Sequence, residues 1–202
     1  MQIINITQGE KEWFEARKGI PTASGFSKII TPAKCEASKT ASTYMYELIA
    51  ERLGATNESF SNEHTERGNE LEPLARDTFE FIMDLKVDQV GMVKTDCGKI
   101  GCSPDGLIGD DGGLEIKCPK ASTHVKYLLE GKLPLEYKTQ VMGSLMVTER
   151  KYWYFMSYHP ELEPFIIKVE RDEEYISKMR EHIDKFNEEM EEQIKIIEAK
   201  RK

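Results

Sequence analysis

The chain lacks any hydrophobic run approaching the roughly 18–20 residues that a membrane span requires. Its start, Met1-Gln2-Ile3-Ile4-Asn5, carries neither a charged leader nor a long apolar stretch, so no signal peptide is expected and the cytoplasm is the expected compartment. Cysteine is sparse: Cys35, Cys97, Cys102 and Cys118 fit no paired zinc or redox spacing. A disulfide framework is not expected, and an iron–sulfur cluster would need all four thiolates to converge. Free thiols, buried or half-buried, are the expectation. The histidines at 64, 124, 159 and 182 are scattered without ligand spacing, and no catalytic role is assigned to them. Positive charge is also short. Lys and Arg number 28 against 36 Asp and Glu, a net charge of −8, which argues against a protein that coats nucleic acid by bulk charge. Internal repeats and low-complexity linkers are absent.

What remains is 202 residues, 39% hydrophobic and 32% charged, the profile of one globular domain over residues 1–202. Residues 10–18 read as a short helix ended by Gly19 and Pro21. Thr22 or Ser24 can cap a second helix running to about Ile30. Residues 41–53 form an amphipathic helix with Tyr44, Leu48 and Ile49 on one face and Gly54 at its end. Residues 63–84 make a longer helix whose apolar side is expected at Leu71, Leu74, Phe79 and Ile82, with Pro73 as a possible kink. After Asp84 the pattern changes to short apolar runs between turn residues, giving strands at 87–94, 99–103, 106–108 and 114–118. Helices return at 121–130 and 135–148, and strands at 151–158 and 165–170. The tail, about 172–202, is a charged helix with Ile176, Met179, Ile183, Phe186, Met190, Ile194 and Ile197 along one docking face. The order predicts an α/β fold with a central mixed β-sheet flanked by α-helices.

The chemistry concentrates in Ser103-Pro104-Asp105-Gly106 and Gly113-Leu114-Glu115-Ile116-Lys117-Cys118-Pro119. Glu115 and Lys117 are two apart in a strand and so share a face. A reversal through residues 109–113 brings Asp105 back beside Glu115. Two carboxylates and an ammonium then converge. Hard oxygen ligands suit Mg²⁺ or Mn²⁺, and the backbone carbonyl of Ile116 can add another oxygen. A divalent ion at such a spot activates water and polarises a phosphoryl oxygen, with Lys117 orienting that water. The Glu-x-Lys triplet alone is uninformative, because it recurs at Glu130, Glu136, Glu149 and Glu198 in polar or helical surroundings. On pattern alone, an ordinary amphipathic strand with a surface salt bridge is as good a reading as a metal site.

Pro104-Asp105 with Glu115-x-Lys117 has the form of the PD-(D/E)xK nuclease motif. The stretch from Cys102 to Pro119 resembles, more narrowly, the phage lambda exonuclease family of YqaJ-type viral recombinases. The likeness spans roughly residues 10–180. Trp13 to Gly19 followed by Thr22-Ala23-Ser24 is similar to the family's first helix and phosphate pocket. Arg67-Gly68 with Glu72 resembles a helix carrying an extra carboxylate, and Tyr137 with Gln140-Val141 a helix carrying a glutamine. Trp153-Tyr154-Phe155, Tyr158 and Glu170 to Glu173 fit a late strand and last helix. The chain departs from the family in a shorter N-terminal extension and a different, highly charged tail after about Lys185.

The resemblance implies a restriction-endonuclease-like core. It also implies a Mg²⁺-dependent exodeoxyribonuclease that digests one strand of a DNA duplex from its 5′ end and leaves 3′ overhangs for recombination. It implies a homo-oligomer, a ring trimer, working with a phage single-strand annealing protein in the bacterial cytoplasm. Asp105, Glu115, Glu72 and the Ile116 carbonyl would hold the metal. Lys117 would act on the attacking water and Gln140 would position water or phosphate. Arg17, Ser24 and Thr22 would hold the 5′ phosphate. Without the resemblance, Glu72 reads as a solvated helix carboxylate, Gln140 as a surface amide and Ser24 as a plain N-cap. The cluster Trp153, Tyr154, Phe155 and Tyr158 reads as strand core rather than a base-stacking platform. Other nucleases of the same fold, endonucleases or CRISPR-associated end-trimming enzymes, are the first alternative. A catalytically silent DNA-end-binding protein is the second.

Overall fold

The computed structural model describes residues 1–55 and 63–200, with backbone alone at 63–67 and 69, so the side chains of His64 and Arg67 lie outside the described residues. Seven strands form two sheets. β1 (Gln2–Ile4), β2 (Met92–Lys94) and β3 (Gly101–Cys102) pair antiparallel in that order. β4 (Gly106–Ile108), β5 (Gly112–Lys117), β6 (Tyr152–Ser157) and β7 (Phe165–Glu170) make a mixed sheet. In it β5 runs parallel to β6 and the other pairs are antiparallel. The parallel pair needs a crossover, which two helices supply: α5 (Ala121–Glu130) and α6 (Leu135–Thr148).

Helices cover the sheets. α1 (Lys11–Arg17) leads through a single 3₁₀ turn (Ala23–Gly25) into α2 (Phe26–Ile29), and α3 (Ala41–Arg52) follows. Thr22 occupies the N-cap of that turn, but its side chain makes no capping bond; its hydroxyl is used elsewhere, as described below. α6 is apolar on nearly all sides, and Val141, Met142, Leu145, Met146 and Val147 are all buried, as befits a helix enclosed by its neighbours. α7 (Glu173–Ala199) docks through the expected stripe: Ile176, Met179, Ile183, Phe186, Met190 and Ile194 are buried and Ile197 is partly so. Asp172 caps it, its Oδ1 accepting from Tyr175 N at 3.0 Å. Trp153, Phe155 and Tyr158 are buried, so the late aromatics are core. None of the four cysteines is in a disulfide; Cys35 and Cys102 are buried, Cys118 is half-buried and Cys97 is exposed.

The long helix α4 (Glu63–Met83) corrects one expectation. Leu74 and Ile82 are about half exposed, at 50% and 49%. The inward stripe runs instead through Glu72, Ala75, Arg76, Phe79 and Met83; Ala75 and Phe79 are fully buried and Arg76 is 9% exposed. This spacing is equally helical, but two of its members are charged, because this face of α4 meets the turn that carries Asp105.

The β4–β5 hairpin is tied down from β6's side. Buried Arg150 donates to the carbonyls of Gly109 at 2.6 Å and Gly112 at 2.7 Å. Lys151 N and Tyr152 N both donate to Asp111 O. Gly113 has no Cβ because Trp153 lies against it: a Cβ would come 2.2 Å from the indole. Among the described residues no helix is long and apolar enough to cross a membrane.

Candidate active site

β4 begins only at Gly106, opposite Leu114, while β5 continues to Lys117. The edge of β5 therefore has no strand partner on that side at Ile116. Asp105 fills the gap. Its N–H donates to Leu114 O at 3.2 Å, and its Oδ2 accepts from Ile116 N at 2.6 Å. The N–H and C=O of one strand residue point to the same edge, so the Ile116 carbonyl faces the Asp105 side as well. On the sheet's faces the alternation is as expected. Leu114 and Ile116 pack into a core cluster with Ala75 and Phe79, while Glu115 and Lys117 share the opposite face and form an ion pair.

Glu115 is 1% exposed. Its Oε1 accepts from Lys117 Nζ and from Gln140 Nε2 of α6, and its Oε2 is buried with no hydrogen-bond partner among the described residues. Glu72 Oε1 accepts from Arg76 Nη2. Lys117 also sits 5.5 Å from the centre of the Tyr137 ring. A cleft of about 530 Å³ opens beside this cluster, lined by Glu72, Asp105, Ile116, Lys117, Lys120 and Tyr137 among others.

Burial pushes the Glu115 carboxyl up to about 7, with Lys117 pulling it down and Asp105 raising it further. Burial, then Asp105, pushes Glu72 up to about 7 against the pull of Arg76. Asp105 is raised as well, chiefly by burial. Burial works against the Lys117 charge, but Glu115 and Asp105 outweigh it and raise its pKa, so Lys117 stays an ammonium. Among the described residues, three carboxylates, Glu72, Asp105 and Glu115, stand with Lys117 and Arg76, and one carboxylate oxygen is buried and unpartnered; this hard oxygen donor set suits a divalent ion. Among the described residues no three His, Cys, Asp or Glu side chains are gathered about one point as they stand. The donor chemistry of these carboxylates fits the ion.

A pH prediction follows. A carboxyl raised from 4.5 to about 7 binds more protons folded than unfolded in that window, so stability falls as pH rises through it. In EDTA, the Tm of the wild type relative to Glu115→Gln should fall by roughly 3–6 °C between pH 5 and pH 8 for a chain of this size. Scanning calorimetry on both proteins checks this; a difference that stays flat across pH would contradict it.

A second cavity, also about 530 Å³, includes Arg17, Thr22, Ser24, Lys28 and Tyr44 in its lining. Arg17 Nη2 donates to Thr22 Oγ1 at 3.1 Å and to Ser24 Oγ at 3.2 Å, and Nη1 donates to Ser103 Oγ at 2.8 Å. The guanidinium stacks 4.3 Å from the Trp13 ring centre, and Trp13 Nε1 also donates to Ser103 Oγ at 2.9 Å. The three residues expected at a phosphate pocket are thus gathered by one arginine. Ser103 joins them and was not foreseen; its place two residues before Asp105 was the available signal. The same turn therefore touches Arg17 through Ser103 and the carboxylate cluster through Asp105. Arg76 was also not foreseen, although its position four residues after Glu72 permits a helical ion pair.

The YqaJ-like viral recombinase domain matches residues 12–151. The alkaline exonuclease LHK-Exo from Laribacter hongkongensis superposes with a TM-score of 0.86 at 35% identity, covering 95% of this chain and 98% of that one. Its complex with dAMP gives the same values. A phage-related exonuclease from Haemophilus somnus 129PT superposes with a TM-score of 0.71 at 16% identity, covering 88% and 96%, a likeness of fold alone. No curated protein sequence matches the chain. The mixed sheet flanked by helices is a restriction-endonuclease-like core. Match, superposition and sheet agree that the chain belongs to the YqaJ-like viral recombinase family.

Proposed function

We propose that this chain is a metal-dependent exonuclease that digests one strand of duplex DNA from a 5′ end and leaves a 3′ overhang. The observation that carries this reading is the Asp105–Glu115–Lys117 cluster, with a Glu115 Oε2 that is buried and unpartnered among the described residues, beside a pocket built on Arg17. The relatives support it: LHK-Exo is an alkaline exonuclease, and its complex with dAMP supports a nucleoside monophosphate product.

Asp105, Glu115, the Ile116 carbonyl and Glu72 would hold Mg²⁺, or Mn²⁺ in its place, and the bound ion supplies Lewis-acid polarisation of the scissile phosphate. Lys117, kept protonated by its carboxylate neighbours, orients the attacking water and offsets charge developing on the phosphoryl oxygens. Gln140 fixes the Glu115 carboxylate and positions water or phosphate. Arg17, Thr22 and Ser24, with Ser103, hold the terminal 5′ phosphate. Below neutrality, protons compete with the metal for carboxyls that titrate near 7, in keeping with an alkaline working range.

A net charge of −8 leaves little bulk attraction for DNA, so a closed ring, here a homotrimer, would retain the substrate by topology. Exposed Leu74, Phe81 and Ile82 on α4 and Leu129 on α5 support self-association. The 3′ overhang would pass to a phage single-strand annealing protein, in the cytoplasm of an infected or lysogenic bacterium.

The test uses linear duplex with one 5′-phosphate and one 5′-hydroxyl end, alongside a closed circle, in Mg²⁺ and in EDTA. Mg²⁺-dependent loss of the 5′-phosphorylated strand with intact circles is expected. Cut circles would replace the exonuclease with an endonuclease, and no hydrolysis with either Mg²⁺ or Mn²⁺ would leave a DNA-end-binding role.

A further inference from the structure

The carboxylate cluster contains a cation to which the roles above assign nothing. Arg76 lies on α4 and is 9% exposed. Burying a guanidinium is costly unless its donors are used, and here they are. Its Nε donates to the backbone carbonyl of Asp105 at 3.1 Å, and its Nη2 donates to Glu72 Oε1. Gln89, with its amide oriented by the network so that the oxygen faces Arg76, accepts from Nη1 at 2.5 Å and from Nη2 at 3.0 Å. An ordinary i,i+4 surface pair would use one donor and leave the rest in water. This one bridges three segments: the helix that carries Glu72, the turn that carries Asp105, and the loop before β2.

We propose that Arg76 is the positioning residue of the metal site, holding Glu72 by one oxygen and the Asp105 turn by its carbonyl, so that both carboxylates present their remaining oxygens to one ion. This rests on the divalent-ion reading of the cluster. Metal ligands need partners that fix their orientation, and losing such a partner typically costs about 10–100-fold in metal affinity. Lysine could keep the charge and the contact to Glu72, but it has no planar fork with which to hold the Asp105 carbonyl and Gln89 as well.

The sign of the effect separates positioning from charge. Removing a cation beside a cation site should tighten metal binding if Arg76 acts only through its charge. Removing a positioning group should weaken it. Mn²⁺ binding by full-length wild type, Arg76→Lys and Arg76→Met is measured without DNA, by the electron paramagnetic resonance of free Mn²⁺. Tm in EDTA is recorded beside it, and kcat and KM on 5′-phosphorylated duplex. We expect Mn²⁺ affinity to fall about 10–100-fold in Arg76→Met and by less in Arg76→Lys. We expect kcat at limiting metal to fall in step, with KM for DNA within about twofold of wild type because the Arg17 pocket is untouched. Unchanged or tighter Mn²⁺ binding in the variants, with only Tm lowered, would overturn the proposal and leave Arg76 as a fold-stabilising residue. If Arg76→Met does not fold, Arg76→Lys alone decides by the same criterion. Failure of the wild type to bind Mn²⁺ would overturn the divalent-ion reading itself, which keeps the two failures distinct.

Discussion

Lys117→Ala is expected to lower kcat on 5′-phosphorylated duplex by about 10³-fold while leaving KM within a few-fold of wild type. The ammonium is held by Glu115, is raised rather than lowered in pKa, and lines the cleft beside Asp105 and Ile116. On the proposed function it is a fixed positive charge at the place where phosphoryl charge would develop, not a proton acceptor. An interaction made mainly in the transition state lowers kcat and kcat/KM together when it is lost. Lys117→Arg should not restore the rate, because a planar fork cannot occupy the place of a compact ammonium between Glu115 and Tyr137. Single-turnover kinetics measure the effect, with circular dichroism to show that the variant is folded. A variant retaining more than about a third of wild-type kcat would remove Lys117 from the chemistry.

Arg17→Ala is expected to abolish a preference for 5′-phosphorylated over 5′-hydroxyl ends worth about 10–100-fold in kcat/KM. That is the scale of charge-assisted hydrogen bonds contributing about 1.5–3 kcal/mol. Both terminal nitrogens of Arg17 already point at hydroxyls, those of Thr22, Ser24 and Ser103, and its plane is fixed on Trp13. An anion entering there meets one preorganised fork and the hydroxyls of Thr22 and Ser24. Cleavage of 5′-hydroxyl ends should change little, because that substrate never filled the pocket. Competition between the two ends in one reaction reads the ratio directly, and an undiminished preference for the phosphorylated end would place the 5′-phosphate site elsewhere.

Asp105, Glu115 and Lys117 were legible because strand periodicity and one hairpin reversal are local properties, and the β4–β5 register delivers them as alternation requires. The docking face of α7 was legible for the same reason, as a stripe at helical spacing. Glu72 and Gln140 were not legible without the family resemblance, since their meeting with Asp105 and Glu115 depends on how α4 and α6 pack. The inward face of α4 was misread because a charged pair, Glu72 and Arg76, occupies positions where hydrophobic patterning expects apolar groups. Local rules fail at such places when a site requires charge inside. β1 went unseen for a different reason. It is three residues long, and its partner is β2, some ninety residues along the chain, so nothing in its own neighbourhood marks it as a strand. The run expected as a strand over 87–94 shortens to Met92–Lys94, because Asp88 meets only Leu107 through an isolated bridge.

Crystals of the wild type soaked in Mn²⁺ and recorded at the manganese absorption edge test the central claim most directly. An anomalous peak within ligand distance of Asp105 and Glu115, with Glu115 Oε2 now engaged, is the predicted result. No peak at this cluster, with manganese bound at another site, would contradict the account.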